Sequence, residues 1–209
     1  MCEKITVIIW FSLIGQVINA QSVEAYAGYK RAGVDLLWYK FMKSESGKQL
    51  PLLFFSRTRA STDWDNSPAA FGVTSALSYN FKNGVGIVAV ASFLNAGFTP
   101  KAGVQLVKTK GDFLFFGWLV ADLKKKGNLD LFGLFRYTPK LNADWRLFSQ
   151  AELFPVFNPD ADLWSLTQRI RLGAKYHTWA AGFMADFNQT GKGDFAKTRN
   201  VGGFLRHDF

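Results

Sequence analysis

Residues 200–209 read NVGGFLRHDF and end on a phenylalanine carboxylate. Side chains alternate across an extended strand with a period of two. Val201, Leu205 and Phe209 therefore share one side, and Arg206 and Asp208 share the other. The last residues of a soluble domain are commonly frayed. A chain that ends inside a strand, on an aromatic, points elsewhere.

The same alternation recurs upstream. In 69–81, Phe71, Val73, Leu77, Tyr79 and Phe81 share one face, and Gly72, Thr74, Ala76, Ser78 and Asn80 the other. An apolar exterior with small polar residues inside marks a membrane-spanning strand. The dipeptide Asn83-Gly84 follows, a strong signal for a tight hairpin. Segments of about ten residues, the length a tilted strand needs to cross the hydrocarbon, fill the rest. They are 22–29, 34–42, 50–59, 69–81, 85–96, 101–108, 112–123, 129–137, 145–154, 165–177, 179–188 and 200–209. The segment 112–123 is apolar on both faces, and 97–100, with Gly97 and Pro100, reads as a break. No helical period persists after residue 20, and no internal repeat is visible. The expectation is an all-β, transmembrane, antiparallel up-and-down barrel of 12 strands, with 10 and 14 as alternatives, closed by the strand 200–209.

Connections support this parsing. With the C-terminus on the periplasmic side, short turns at 82–84, 109–111 and 177–179 fall there. The segments 61–68, 158–163 and 189–198 fall on the other side and read as longer loops, the asymmetry such barrels have. Mean hydropathy is +0.01, because alternating apolar and polar residues cancel in the average. A soluble β-sandwich or lipocalin-like barrel would alternate too. Its outer face would be polar, however, and here lysine is largely kept to the turns.

Residues 1–20 begin with Glu3 and Lys4, continue through an apolar run from Ile5 to Ile14, and end at Ala20 before Gln21-Ser22. The run is too short to span a bilayer and reads as a cleaved secretory signal peptide. That leaves 21–209 as one barrel domain. The only cysteine, Cys2, lies in the segment to be removed, so neither a disulfide framework nor a cysteine metal site is expected.

With this N-terminus and the terminal Phe209, the chain resembles Gram-negative outer-membrane β-barrel proteins. It departs from their usual ending in His207 and in the position of Gly203. The resemblance implies an outer-membrane location and recognition of Phe209 and Leu205 by the barrel-assembly machinery. The size and an arginine-bearing wall look like the small twelve-stranded oligosaccharide channels, at the level of architecture.

A barrel is a scaffold, and function must be read from its sites. The histidines, His177 and His207, fall at a turn and two residues from the terminus, so no enzyme is expected. No phosphate loop, zinc spacing or calcium-loop spacing occurs, and no cofactor is expected. Parity turns Glu24, Asp35, Asp122, Asp130, Glu152, Asp186 and Asp208 inward, with Arg57, Arg59, Arg136, Arg146, Arg169, Arg171, Lys175 and Arg206. Such charges tune selectivity if water fills the lumen, or they pair and fill it. Arg169, Arg171 and Lys175 share one face, Arg146 lies on the adjoining strand, and Arg136 is nearby. The fixed fork of arginine suits carboxylate or phosphate, so this wall is the candidate anion contact.

The formal net charge is +9, carried mainly in loops. Lys124, Lys125 and Lys126 form a basic loop suited to lipopolysaccharide phosphates. Charge spread around the loops of a secreted chain argues against nucleic acid. Two functions stand. One is a narrow passive channel for small anionic solutes. The other is a non-conducting accessory barrel that holds another outer-membrane protein.

Overall fold

The structure, a computed structural model, describes residues 21–65, 69–124 and 127–209. The expected signal peptide, 1–20, lies outside the described residues, as do Lys125 and Lys126. Twelve strands follow in order: β1 (Ser22–Gly28), β2 (Arg31–Lys43), β3 (Gln49–Asp63), β4 (Ala70–Asn80), β5 (Val85–Leu94), β6 (Gly97–Lys110), β7 (Phe113–Asp122), β8 (Leu129–Tyr137), β9 (Trp145–Asn158), β10 (Leu163–Tyr176), β11 (Trp179–Gly191) and β12 (Phe195–Asp208). Each pairs antiparallel with its neighbours in sequence, and β12 pairs with β1 to close the barrel. The backbone N–H of Phe209 donates to the carbonyl of Gln21 at 3.0 Å. The end that holds these two residues is termed the near end, and the opposite end the far end.

Alternation builds the walls. In β5, Val85, Ile87, Ala89 and Ala91 point out, and Gly86, Val88, Val90 and Ser92 point in. Outward faces carry large apolar residues: Phe183 is 78% exposed, and Phe71, Phe135, Leu172 and Leu205 are exposed as well. Glu24, Asp35, Asp130, Glu152, Arg171, Asp186 and Arg206 are buried. This inverts the pattern of a water-soluble barrel and agrees with the face assignment read from the sequence. Two glycines show how tightly the ladder packs. Gly173 and Gly182 face each other across β10 and β11, where a Cβ on either would fall about 2 Å from a carbonyl oxygen of the facing strand.

Two segments differ from expectation. The expected break at 97–100 lies inside β6, where Pro100 pairs with Ala91 and its carbonyl accepts the Leu123 N–H at 2.9 Å. A proline can sit in a ladder at a position that needs no N–H. The expected loop 189–198 is mostly strand, with Gln189 opposite Lys197 and Thr190 opposite Ala196. Apart from Phe195 and Ala196 it holds only polar residues and glycine, so alternation stops, but backbone hydrogen bonds continue regardless. Connection lengths consequently do not sort between the ends. The connection 138–144, at the near end, is longer than any at the far end.

The closing seam is staggered. β1 has 7 residues and β12 has 14, and β1 covers only 202–208 of it. Beyond that point Asn200 takes over. Its Oδ1 accepts the N–H groups of Lys30 and Arg31 at 3.0 and 3.1 Å, and its Nδ2 donates to the Arg31 carbonyl at 3.2 Å. The β1–β2 turn is thereby fastened to β12.

Candidate functional site

The interior has two halves of different chemistry. On β3–β8 it is mainly an apolar core of Leu53, Phe55, Val88, Val90, Phe116, Trp118, Val120, Phe132 and Leu134, interrupted by Lys101 with Asp122 and Asp130 and by buried Ser78, Asn80 and Gln105. Apolar residues on both faces of 112–123 are the sequence trace of this: Phe116, Trp118 and Val120 point in, while Phe113 and Leu119 are exposed outside. Facing it, β9–β12 with β1–β3 carry ionic groups around a smaller cluster of Tyr26, Phe148, Met184 and Phe204.

Residues two apart on a strand share a face, which stacks the charges into groups. Arg57 donates to Asp35 at 2.5–3.0 Å and, with Nη1 and Nη2, to both carboxylate oxygens of Glu152 at 2.9 and 3.0 Å. Arg57 is on β3 and Glu152 on β9, strands that are not neighbours, so this two-pronged bridge crosses the interior. Arg59 also donates to Asp35, through Nη2 at 2.5 Å, and Arg169 reaches Glu152 at 3.3 Å. Three guanidiniums thus share two carboxylates.

Arg171 is enclosed differently. It donates to Glu24 at 2.8 Å and to Asp186 at 2.7 Å and lies over the Tyr26 ring. Lys175 and Arg206 share Asp208. Arg146 sits at the near rim, paired with Asp112 and bonded to the Thr138 carbonyl at 2.8 Å. Arg136 donates Nε to Gln150 at 2.8 Å and stands over the Phe148 ring. Its Nη2 is buried without a hydrogen-bond partner, and among the described residues no acid pairs with it.

The five cations expected as one anion wall are therefore divided. Arg169 joins Arg57 and Arg59, Arg171 is closed off by two carboxylates, Arg136 and Lys175 lie toward the near end, and Arg146 is at the rim. Lys101 was not among the expected inward charges. It is 8% exposed and bridges Asp122 at 2.5 Å and Asp130 at 2.6 Å. Gln105, four residues on, shares its inward face, but reading 97–100 as a break started the strand at Lys101 and hid the register.

Two cavities occupy the ends of the lumen. The far one is about 300 Å³ and is lined by Phe55, Arg57, Arg59, Lys101, Trp118 and Arg169 among others. The near one is about 240 Å³ and is lined by Tyr39, Phe55, Phe116, Arg136, Arg206 and Asp208 among others. Phe55 lines both. Its ring stacks on Phe116 at 5.1 Å and 14° and meets Trp118 edge-on at 5.1 Å. The rings of Phe55, Phe116 and Trp118 thus form a cluster that borders both cavities.

The remaining expected residues fall as follows. His177 is in the β10–β11 turn with φ 49°, and His207 lies against Trp179 and Phe209. Leu205 and Phe209 are both exposed on the outside. Lys124 donates to the Phe98 carbonyl at 2.5 Å and to Thr99 Oγ1 at 3.2 Å at the far end. Among the described residues, no group of three His, Cys, Asp or Glu side chains is placed to hold a metal ion.

No protein-family model matches the sequence, and no curated protein matches it. Solved structures do. The barrel is similar to a KdgM porin in complex with disordered oligogalacturonate, with TM-score 0.51 and 13% identity over 90% of this chain and 99% of that one. A second KdgM porin structure gives TM-score 0.50 and 15% identity over 90% and 99%. The NanC porin gives TM-score 0.53 and 14% identity over 90% and 98%. At these identities the likeness is one of fold. The chain is a porin-like β-barrel of twelve antiparallel strands, closed on itself, with apolar side chains outside and ionic and aromatic ones within.

Proposed function

We propose that the protein is an outer-membrane channel for small solutes with a preference for anions. The observation that carries this is the pair of lumen cavities, one toward each end, with Phe55 common to both. Phe55 and the rings packed on it border both cavities, and rotamer changes of such side chains are small motions. Anion preference rests on charge. The one-cation excess of Arg57, Arg59 and Arg169 over two carboxylates at the far cavity is offset by Lys101 with Asp122 and Asp130, so the preference rests on the near cavity, where Arg136 and Arg206 stand with Asp208. Fixed charges that line a narrow pore set its selectivity.

A second reading is also motivated. Phe116 and Phe148 are 1% exposed, and the Arg57–Glu152 bridge crosses the interior, as in a barrel that holds a partner without conducting. Planar-bilayer recordings separate the two. Small discrete conductance steps, with a reversal potential toward the anion side in a salt gradient, are expected. Arg136→Ser and Arg169→Ser should each move that potential toward zero. A protein that inserts and never conducts, yet co-purifies with another barrel from mild detergent, sinks the channel reading in favour of the second.

Two contacts belong to the same proposal. Lys30, Lys124 and Lys192 stand on separate connections around the far end, suited to lipopolysaccharide phosphates within a Debye length. The exposed side chains of Leu205 and Phe209, on the closing strand, suit recognition by the assembly machinery.

A further inference from the structure

The far cavity is two-faced. One wall is mostly apolar, with Phe55, Val90, Trp118, Val120, Phe132 and Phe154 around the Lys101–Asp130 ion pair and Ser92, and the other carries Arg57, Arg59 and Arg169. Hydroxyl groups laid on those rings and branched side chains would lose their hydrogen bonds to water and regain them only beside Ser92, Lys101 and Asp130, at a cost of about 1–3 kcal/mol for each left unpaired. An apolar body has no such cost and gains from contact with those rings and branched side chains. On the opposite wall, Arg59 spends Nε and Nη2 on one carboxylate oxygen of Asp35, and Arg169 makes one bond of 3.3 Å to Glu152. Each keeps further N–H groups that bond no acid among the described residues, and the guanidinium fork is shaped for a carboxylate. Trp118 adds a third feature. It is 6% exposed, and its Nε1 is buried with no hydrogen-bond partner, a donor held in the cavity wall.

We infer that the far cavity is a binding site for a small amphipathic carboxylate, an aromatic ring or short aliphatic chain bearing one acid group. Its apolar body lies on the Val90–Trp118–Phe132 wall, and its carboxylate accepts from Arg59 and Arg169. A volume of about 300 Å³ holds a single ring with a short acid arm and excludes larger polymers from full enclosure. This deepens the channel reading and rests on it, because it names the class of solute that pauses at the far cavity. A densely hydroxylated sugar acid carries the same charge and would match only one of the two walls.

The test uses the full barrel in lipid bilayers, with phenylacetate as probe and with gluconate and benzyl alcohol as controls. Binding is read from tryptophan fluorescence, and chloride current is recorded on the same preparations. Phenylacetate should bind saturably and at least about tenfold more tightly than either control, a gap of roughly 1.4 kcal/mol. Arg169→Gln should weaken phenylacetate about tenfold and leave benzyl alcohol unchanged. Val90→Thr, nearly the same size, should weaken phenylacetate more than gluconate, and it keeps the test open if the arginine variant fails to fold. Gluconate binding as tightly as phenylacetate, or no response to Val90→Thr, overturns the inference. Chloride current without phenylacetate binding removes this site and leaves the channel. Phenylacetate binding without current removes the channel and leaves the site.

Discussion

Phe116 and Arg171 are buried almost equally, at 1% and 2% exposure, yet their surroundings hold them by opposite means. Phe116 sits among Phe55, Trp118 and Phe132, rings that attract at centroid distances of 5.1–6.0 Å without demanding one geometry. Arg171 sits between Glu24 and Asp186, where each carboxylate oxygen must meet a donor. The apolar half of the lumen is stabilised by contact area and fails gradually when atoms are removed. The ionic half is stabilised by completeness, because a buried charge without its partner is costly out of proportion to what the pair contributes. A lumen built of both is held on one side by contact and on the other by pairing.

The sharpest way to break this contrast is Arg171→Met. It strands Glu24 and Asp186 together, and a loss of about 3–5 kcal/mol is expected, read from the urea midpoint of the barrel in lipid vesicles. Combining it with Glu24→Gln and Asp186→Asn should recover most of that loss. A triple variant no more stable than the single one would show that the ion pairs are not what makes the position sensitive. Next comes Phe116→Ala, with an expected loss of about 3 kcal/mol. The same variant removes half of the stacked pair between the cavities, so single-channel conductance should rise. An unchanged conductance would take the aromatic layer out of the permeation path. The smallest effect is Asn200→Ala, which removes three bonds at the β1–β2 turn. About 1–2 kcal/mol is expected, with amide exchange at Lys30 and Arg31 accelerated while the rest of the barrel is unaffected.

The walls were legible because alternation is a property of neighbouring residues. Parity alone assigned Phe71 and Leu77 outward, Ser78 and Asn80 inward, and Glu24, Asp35, Asp130, Glu152, Arg171, Asp186 and Arg206 to the interior, while Lys101 escaped it and Arg146 stands at the rim. Where side chains stop alternating, the signal ends before the strand does. Gln189 and Lys197 pair as regularly as any residues in the sheet, and Pro100 interrupts a pattern without interrupting β6. The interior was legible only by face. That Arg57 spans to Glu152, while Arg136 meets no acid among the described residues, depends on which strands stand across the lumen. That follows from closure and stagger, and no single segment encodes it. The lumen's aromatic layer was half visible: the doubly apolar run at 112–123 announced it, but nothing local pairs Phe55 of β3 with Phe116 of β7.

The difference in length between β1 and β12 gives the cylinder a notch. Above Gly28, residues 195–199 are laced to β11 on one side only, and below Leu37, β2 runs on toward Lys43 without β1 beside it. A few bonds from Asn200, together with the Trp64 indole bonded to the Gly28 carbonyl at 2.8 Å, are the buttons over that slit. Mechanical load or local fraying would find it first, so the seam where the first strand meets the last is also the line along which the wall is least fastened.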